Sequence, residues 1–295
     1  MNCDDRADII RRIEADGNHR VLHRVSIGEE VERLADNLEN TSIGVVIDVE
    51  TTGLNPKIDK VIELAARRFL FDEAGTIVEI ESGRCWREDP GHFLDAEIIQ
   101  LTGITDADLV GRSIDSDAVE ELLRSAQIVI AHNAEFDRKF VERRLPQVAG
   151  QAWCCTCREI NWATAGYDGR SLGWLAAQAG WFYDAHRAGN DVDAVIALLQ
   201  VRMPDGRTAL RELLDTSGDT SVLLKARGAS FEVKDALRLR GYRWDPEEKV
   251  WKREVYGSAV MDEEFWLSQN VYAPQFRPRD YGPERTEITW FERHA

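Results

Sequence analysis

Apolar residues along this chain follow two periods, and the switches between them outline its organisation. Ile43–Val49 is a compact run rich in Val and Ile, as expected of a buried strand. Lys60–Phe71 and Gly75–Trp86 read as further extended segments, separated by the turn-like Asp72-Glu73-Ala74-Gly75. Helical spacing follows near Asp95–Gln100 and Asp117–Ser125, and the short run Gln127–Ala131 is another buried-strand candidate. Phe136, Phe140, Val141 and Leu145 give Ala134–Leu145 the stripe of an amphipathic helix, which Pro146 ends. Ser171–Ala179 and Asp191–Met203 are also helical, with Ala194, Val195, Leu198 and Leu199 forming the stripe of the second. Strands first, then strands mixed with helices, predict an α/β domain whose mixed β-sheet is flanked by helices.

On this pattern residues 1–42 form a charged, helical N-terminal extension, with an extended stretch at Arg20–Val25, and residues 43–214 form the α/β domain. Asp215–Thr220 (DTSGDT) reads as a linker of turn-forming residues. Residues 218–295 differ in composition and hold four of the nine tryptophans, Trp244, Trp251, Trp266 and Trp290. Their order of strand, helix, hairpin, helix and final strand predicts a small α+β domain. Its tryptophans are needed first to build its own core. The interleaving of Lys and Arg with aromatics from Lys225 to Arg253 also suits nucleic-acid or partner binding.

Charge and cysteine usage narrow the class. The formal net charge is −16, and residues 1–217 carry nearly all of it, with 24 basic and 39 acidic residues against 13 and 14 in the remainder. A polyanion would be repelled at long range, so broad charge-driven binding to nucleic acid is not expected. A negative domain can still be a nuclease where some carboxylates hold cations, because the bound ions reverse the local field. No stretch approaches the ~18 apolar residues of a membrane span. The opening residues lack the apolar core of a signal peptide, and five cysteines, an odd number, fit a reducing compartment. A soluble, cytoplasmic protein without membrane contact is the expectation. Cys155-Thr-Cys157 has the wrong spacing for a zinc knuckle, so Cys154, Cys155 and Cys157 read as buried thiols.

Three acidic stretches carry candidate chemistry. Asp48-Val49-Glu50 closes the first strand, where residues i and i+2 share a face, so two carboxylates repel each other unless solvated or bound to a cation. In His132-Asn133-Ala134-Glu135-Phe136-Asp137 the aspartate opens a helix, a position its charge suits anyway. There His132 reads as a structural histidine and Asn133 as a local cap. In His186-Arg187-Ala188-Gly189-Asn190-Asp191 the aspartate enters the last long helix behind an ordinary surface histidine. Taken singly, each has an ordinary structural explanation.

Taken in order, Asp-x-Glu, His-Asn-Ala-x-Phe-Asp and His-x-Ala-x-x-Asp resemble the three motifs of the DEDDh exonucleases. That family includes the proofreading subunits of bacterial replicative polymerases. The surrounding VVIDVETTGLNP, LTGITD, Ala131–Phe140 and Ala185–Asp191 agree, and the resemblance covers residues 42–205. It implies a ribonuclease H-like fold and a metal-dependent 3′→5′ exonuclease acting on single-stranded DNA or RNA 3′ ends, with a DNA polymerase or repair partner. It further implies two divalent cations, Mg²⁺ or Mn²⁺: Asp48 bridges them, Glu50 and Asp191 complete one, and Asp137 serves the other through water. His186 is the implied general base. Thr51 and Thr52 are implied to meet the terminal 3′-hydroxyl and Leu54 to wedge against the last base. Phe136 either lines that pocket or packs as core. An RNA-trimming exoribonuclease and a catalytically idle nucleic-acid-binding module remain the alternatives.

Overall fold

The computed structural model describes residues 3–28, 30–35, 38–257, 259–280 and 282–295, in two units, Met1–Thr216 with His294–Ala295 and Ser217–Arg293. The first unit runs α1 (Cys3–Glu14), β1 (His23–Arg24), β2 (Glu32–Arg33), β3 (Ser42–Thr51), β4 (Val61–Phe71), β5 (Ile77–Ile80), β6 (Arg84–Arg87), α2 (Ala96–Thr102), α3 (Asp106–Leu109) and α4 (Ser116–Arg124). It continues with β7 (Ile128–Ala131), α5 (Ala134–Arg144), β8 (Trp153–Cys155), α6 (Leu172–Gln178), β9 (Trp181–Phe182), α7 (Ala188–Leu199) and α8 (Ala209–Gly218).

β3 is central because both of its faces are apolar: Val45, Val46 and Ile47 are fully buried. It pairs antiparallel with β4 and parallel with β7, within the order β2-β5-β4-β3-β7-β8, and β6 also pairs with β4. The Val45, Ile47 and Val49 face packs with Val119 and Leu123 of α4 and with Phe140 and Val141 of α5. α7 lies against β3 and β4 and is buried along most of its length. Arg67 on β4 pins it through an ion pair to Asp193 at 2.7 Å, with the guanidinium almost wholly buried. Removing one partner of such a buried pair costs roughly 3–5 kcal/mol. The result is the mixed sheet flanked by helices that the pattern predicts.

Three expectations change. Within 1–42, whose positions 1–2, 29 and 36–37 lie outside the described residues, only Cys3–Glu14 is helical. β1 instead pairs in parallel with β9, and β2 extends the main sheet through β5. β8 is an additional parallel strand beside β7 that apolar spacing does not reveal. The presumed linker Asp215–Thr220 is helical through Gly218, because α8 runs through it. Arg207 and Arg211 both ion-pair Asp215 and hold that turn in the helix.

The second unit comprises β10 (Ser221–Lys225), α9 (Lys234–Leu239), β11 (Arg243–Asp245), β12 (Val250–Tyr256), α10 (Ala259–Asn270) and β13 (Glu284–Ile288). Its antiparallel sheet has the order β11-β12-β10-β13. Leu224, Leu237, Tyr242, Leu267 and Val271 form its core, with Trp251 and Trp266 packed against it. No helix among the described residues is long and apolar enough to cross a membrane.

Candidate active site

β3 delivers Asp48 and Glu50 to the face opposite its Val45–Ile47–Val49 core, and a register shift between Glu50 and Thr51 precedes the last pair, Thr51 with Val61 of β4. Asp191 sits in the first turn of α7, the helix laid over β3 and β4. One carboxylate oxygen from each of Asp48, Glu50 and Asp191 lies within 4.8 Å of the others. Asp137, in the first turn of α5, is buried, and its Oδ1 accepts the Val49 amide at 3.1 Å, so it is bonded to the strand that carries the other two. Segments distant in sequence thus bring four acids to the end of one strand.

Packing them together is electrostatically costly. Burial raises the Asp48 carboxyl well above its ordinary range, and Asp137, Asp191, Glu50 and Glu63 add to the rise. Glu50 is pushed up to about 7, first by burial, then by Asp191 and Glu63, with Arg187 opposing. Burial also raises Asp137, against the bond from Val49, and Asp191, against bonds from Tyr183 and Arg187. Buried like charges without cationic partners are expected to be strongly destabilising. An all-oxygen carboxylate set of this kind fits hard divalent cations such as Mg²⁺ or Mn²⁺ and no soft metal.

Two supporting residues, Glu63 and Tyr183, escape motif reading. Glu63, opposite Glu50 across the strands, is buried; its Oε1 accepts from Arg87 Nε at 2.9 Å and its Oε2 from the Ala188 amide at 3.2 Å. It thereby ties β4 to the start of α7. The Tyr183 hydroxyl donates to Asp191 Oδ1 and the Arg187 amide to Asp191 Oδ2, each at 3.1 Å, which fixes that carboxylate. The only sequence signal for Glu63 is a charge within the apolar run Val61–Ala66.

His186 is exposed just before α7 and adopts a left-handed φ of 62°, an uncommon conformation for a side-chain-bearing residue. Its charge acts on Asp191. Thr51 and Thr52 differ from their expected use. The Thr51 hydroxyl donates to the Gly53 carbonyl at 2.6 Å, and the Thr52 hydroxyl accepts the Lys60 amide at 3.1 Å and faces Asp59. The Thr52 amide is also taken, by the Lys60 carbonyl. The turn is tight because a Cβ at Gly53 would come within 2.6 Å of Asp59, which accepts the Asn55 amide.

Leu54 stands out from that turn, 84% exposed. Together with Phe136, Phe140, Pro56, Lys139 and Arg158 it lines a pocket of about 290 Å³. Phe136 also meets Phe140 at 4.9 Å between centroids with the rings tilted by 48°, so pocket lining and core packing coexist in one side chain. Asn133 caps nothing with its side chain; it is exposed at φ 76° in the same pocket. His132 is structural: its Nε2 donates to the Arg170 carbonyl and its Nδ1 meets the Thr156 hydroxyl, each at 2.8 Å. Burial lowers it to about 4. Cys154 and Cys155 are buried in β8, and burial raises the Cys155 and Cys157 thiols, which keeps them protonated.

The exonuclease family model, RNase_T, matches residues 45–199. DNA polymerase III subunit epsilon of Aquifex aeolicus is 34% identical over 166 residues, covering 54% of this chain and 79% of that protein. The PolC-type DNA polymerase III of Listeria innocua is 41% identical over 106 residues, 35% of this chain but only 7% of the polymerase. The solved E. coli exonuclease I with a dA16 oligonucleotide is 16% identical, with a TM-score of 0.47 over 85% of this chain and 64% of that one. The matched span contains β3, α5 and α7 with all four acids. The chain therefore belongs to this exonuclease family, among its DEDDh members, and is a hydrolase of nucleic-acid phosphodiester bonds.

Proposed function

We propose that the protein removes nucleotides in the 3′→5′ direction from single-stranded DNA, with Asp48, Glu50, Asp137 and Asp191 holding two divalent cations. The convergence of Asp48, Glu50 and Asp191 oxygens within 4.8 Å carries this reading. Asp48 would serve both cations, Glu50 and Asp191 would help hold one, and Asp137 would help hold the other through water. Bound there, the cations supply positive charge to the phosphoryl oxygens and acidify a water. DNA is favoured over RNA by the names of the relatives, which are DNA polymerase III components. A replicative or repair polymerase is the corresponding partner class.

The remaining steps belong to the chain's own side chains. His186, on the solvent side of Asp191, takes the proton of the attacking water at its imidazole. Tyr183 and the Arg187 amide keep Asp191 aimed inward while this happens. The turn that holds Thr51 and Thr52 beside the acids also presents the exposed Leu54, and with Phe136 it supplies the apolar surface that meets the strand's end. Leu54 lies against the terminal base and Phe136 forms the pocket wall.

Incubating 5′-labelled single strands of DNA and RNA with Mg²⁺ or Mn²⁺ tests polarity and sugar preference together. Stepwise shortening that retains the 5′ label, faster on DNA, is the expected result; early release of that label would contradict the polarity. His186→Ala should lower kcat by about 10²–10⁴-fold with KM little changed. An unaltered kcat would remove His186 from the reaction. Leu54→Ala should raise KM about tenfold, the loss of one well-buried aliphatic contact with the bound base, and leave thermal stability unchanged.

A further inference from the structure

The small unit carries basic residues of two kinds. Lys225, Arg227, Arg240, Lys252, Arg253, Arg285 and Arg293 each lie within ion-pair distance of a glutamate or aspartate of the same unit. Among the described residues, Lys234, Arg238, Arg243, Lys249, Arg277 and Arg279 have no such partner, and four of these six, Lys234, Lys249, Arg277 and Arg279, line one groove of about 570 Å³. In a chain of net charge −16, a lining with four cations and no acid is a local excess of positive charge, although the Asp280 carboxylate lies against Gly228 at its edge.

Its floor is aromatic. Trp244 of β11 and Trp251 of β12 meet edge to face at 5.6 Å, and Trp244 is about half exposed. Phe231, in the turn before α9, is 78% exposed, with Lys234 Nζ 3.9 Å from its ring centroid. Ser230 Oγ, at the groove wall, is buried without a hydrogen-bond partner among the described residues. Trp251 also packs against the unit's core, but Phe231 and Trp244 do not belong to it. The unit's core is built from Leu224, Leu237, Tyr242 and Leu267, and a ring 78% exposed contributes little to it.

We propose that this groove is a second nucleic-acid site, which binds single-stranded DNA or RNA by stacking bases on Phe231 and Trp244 and meeting phosphates with Lys234, Lys249, Arg277 and Arg279. Exposed π-faces beside a row of cations match flexible single strands, whose bases are free to stack, better than a duplex, whose bases are already stacked. The site is chemically separate from hydrolysis, which none of its residues performs.

The test uses the full chain carrying Asp48→Ala, in EDTA, and a fluorescent oligothymidylate. Phe231→Ala, exposed and therefore neutral for folding, should weaken binding about tenfold. Arg279→Gln should weaken it and reduce the slope of log Kd against log salt by about 0.7, the signature of one lost phosphate contact on a single strand. Binding should also quench tryptophan fluorescence, and Trp244→Phe should diminish the quench. Wild-type affinity and salt slope in both Phe231→Ala and Arg279→Gln would overturn the proposal. Equal competition by polyglutamate of matched charge would also overturn it, showing a site for acidic peptides in place of bases. Because affinity is read without cleavage, the outcome is independent of whether the catalytic polarity proposed above is correct.

Discussion

Replacing Asp48 by alanine should lower metal-dependent hydrolysis more than about 10³-fold, while in EDTA the variant melts no lower than the wild type. The two halves of this expectation have one origin. Asp48 is the acid most crowded by the others: after burial, Asp137, Asp191, Glu50 and Glu63 all raise its carboxyl. Cations bound there would make that arrangement favourable, and losing Asp48, the ligand proposed to serve both, would remove the charge stabilisation on which phosphoryl chemistry depends. Without metal the same carboxylate is a liability, so truncation relieves repulsion while deleting little apolar packing. Asp48→Asn, which keeps the volume and removes the charge, separates the two contributions and should be equally inactive. Rates on a labelled strand and calorimetric melts in EDTA are the measurements. Wild-type rates would dismiss the site. A variant that melts well below wild type in EDTA would mean that Asp48 is held by favourable native contacts, contrary to the clustering described here.

Much of this was readable from residue order, for identifiable reasons. A strand with apolar residues on both faces that ends in Asp-x-Glu announces itself, because two-residue alternation forces Asp48 and Glu50 onto one side. Helices α5 and α7 are legible from their stripes, and Asp137 and Asp191 fall in their first turns. What stayed hidden depends on partners remote in sequence. Glu63 looks like a stray charge until Arg87 and the Ala188 amide are folded beside it. Tyr183 gains its role only once the turn before α7 brings its hydroxyl to Asp191. The three residues of β8 are too few for periodicity to register, and their burial comes from pairing with β7. The DTSG of α8 has turn-forming composition, and here the override is local, through ion pairs from Arg207 and Arg211 to Asp215. For Thr51 and Thr52 the motif does not reveal that their hydroxyls already bond within the turn, one donating to Gly53 and the other accepting from Lys60.

Glu50→Gln should change the pH dependence of stability, and added cation should reverse the order of the two proteins. Glu50 titrates near 4.5 when unfolded and at about 7 in the folded, metal-free protein. A raised folded value means that the native state binds the proton more tightly. Its stabilising effect is therefore complete below about pH 4.5 and is lost as pH rises through about 7. After allowance for its partial exposure, the loss is on the order of 2 kcal/mol. Glutamine does not titrate, so in EDTA the variant should become the more stable protein by about that amount between pH 4.5 and pH 8. His132, lowered to about 4, has the opposite trend, but it is present in both proteins and cancels in the difference. At pH 8 with saturating Mg²⁺, mass action favours whichever protein binds the cation more tightly, and the wild type should then melt higher. Paired melts across pH, with and without Mg²⁺, measure both effects. A stability difference that stays flat with pH in EDTA would show that Glu50 is not crowded by Asp191 and Glu63. Failure of Mg²⁺ to restore the wild type's advantage would show that the crowding serves something other than a cation.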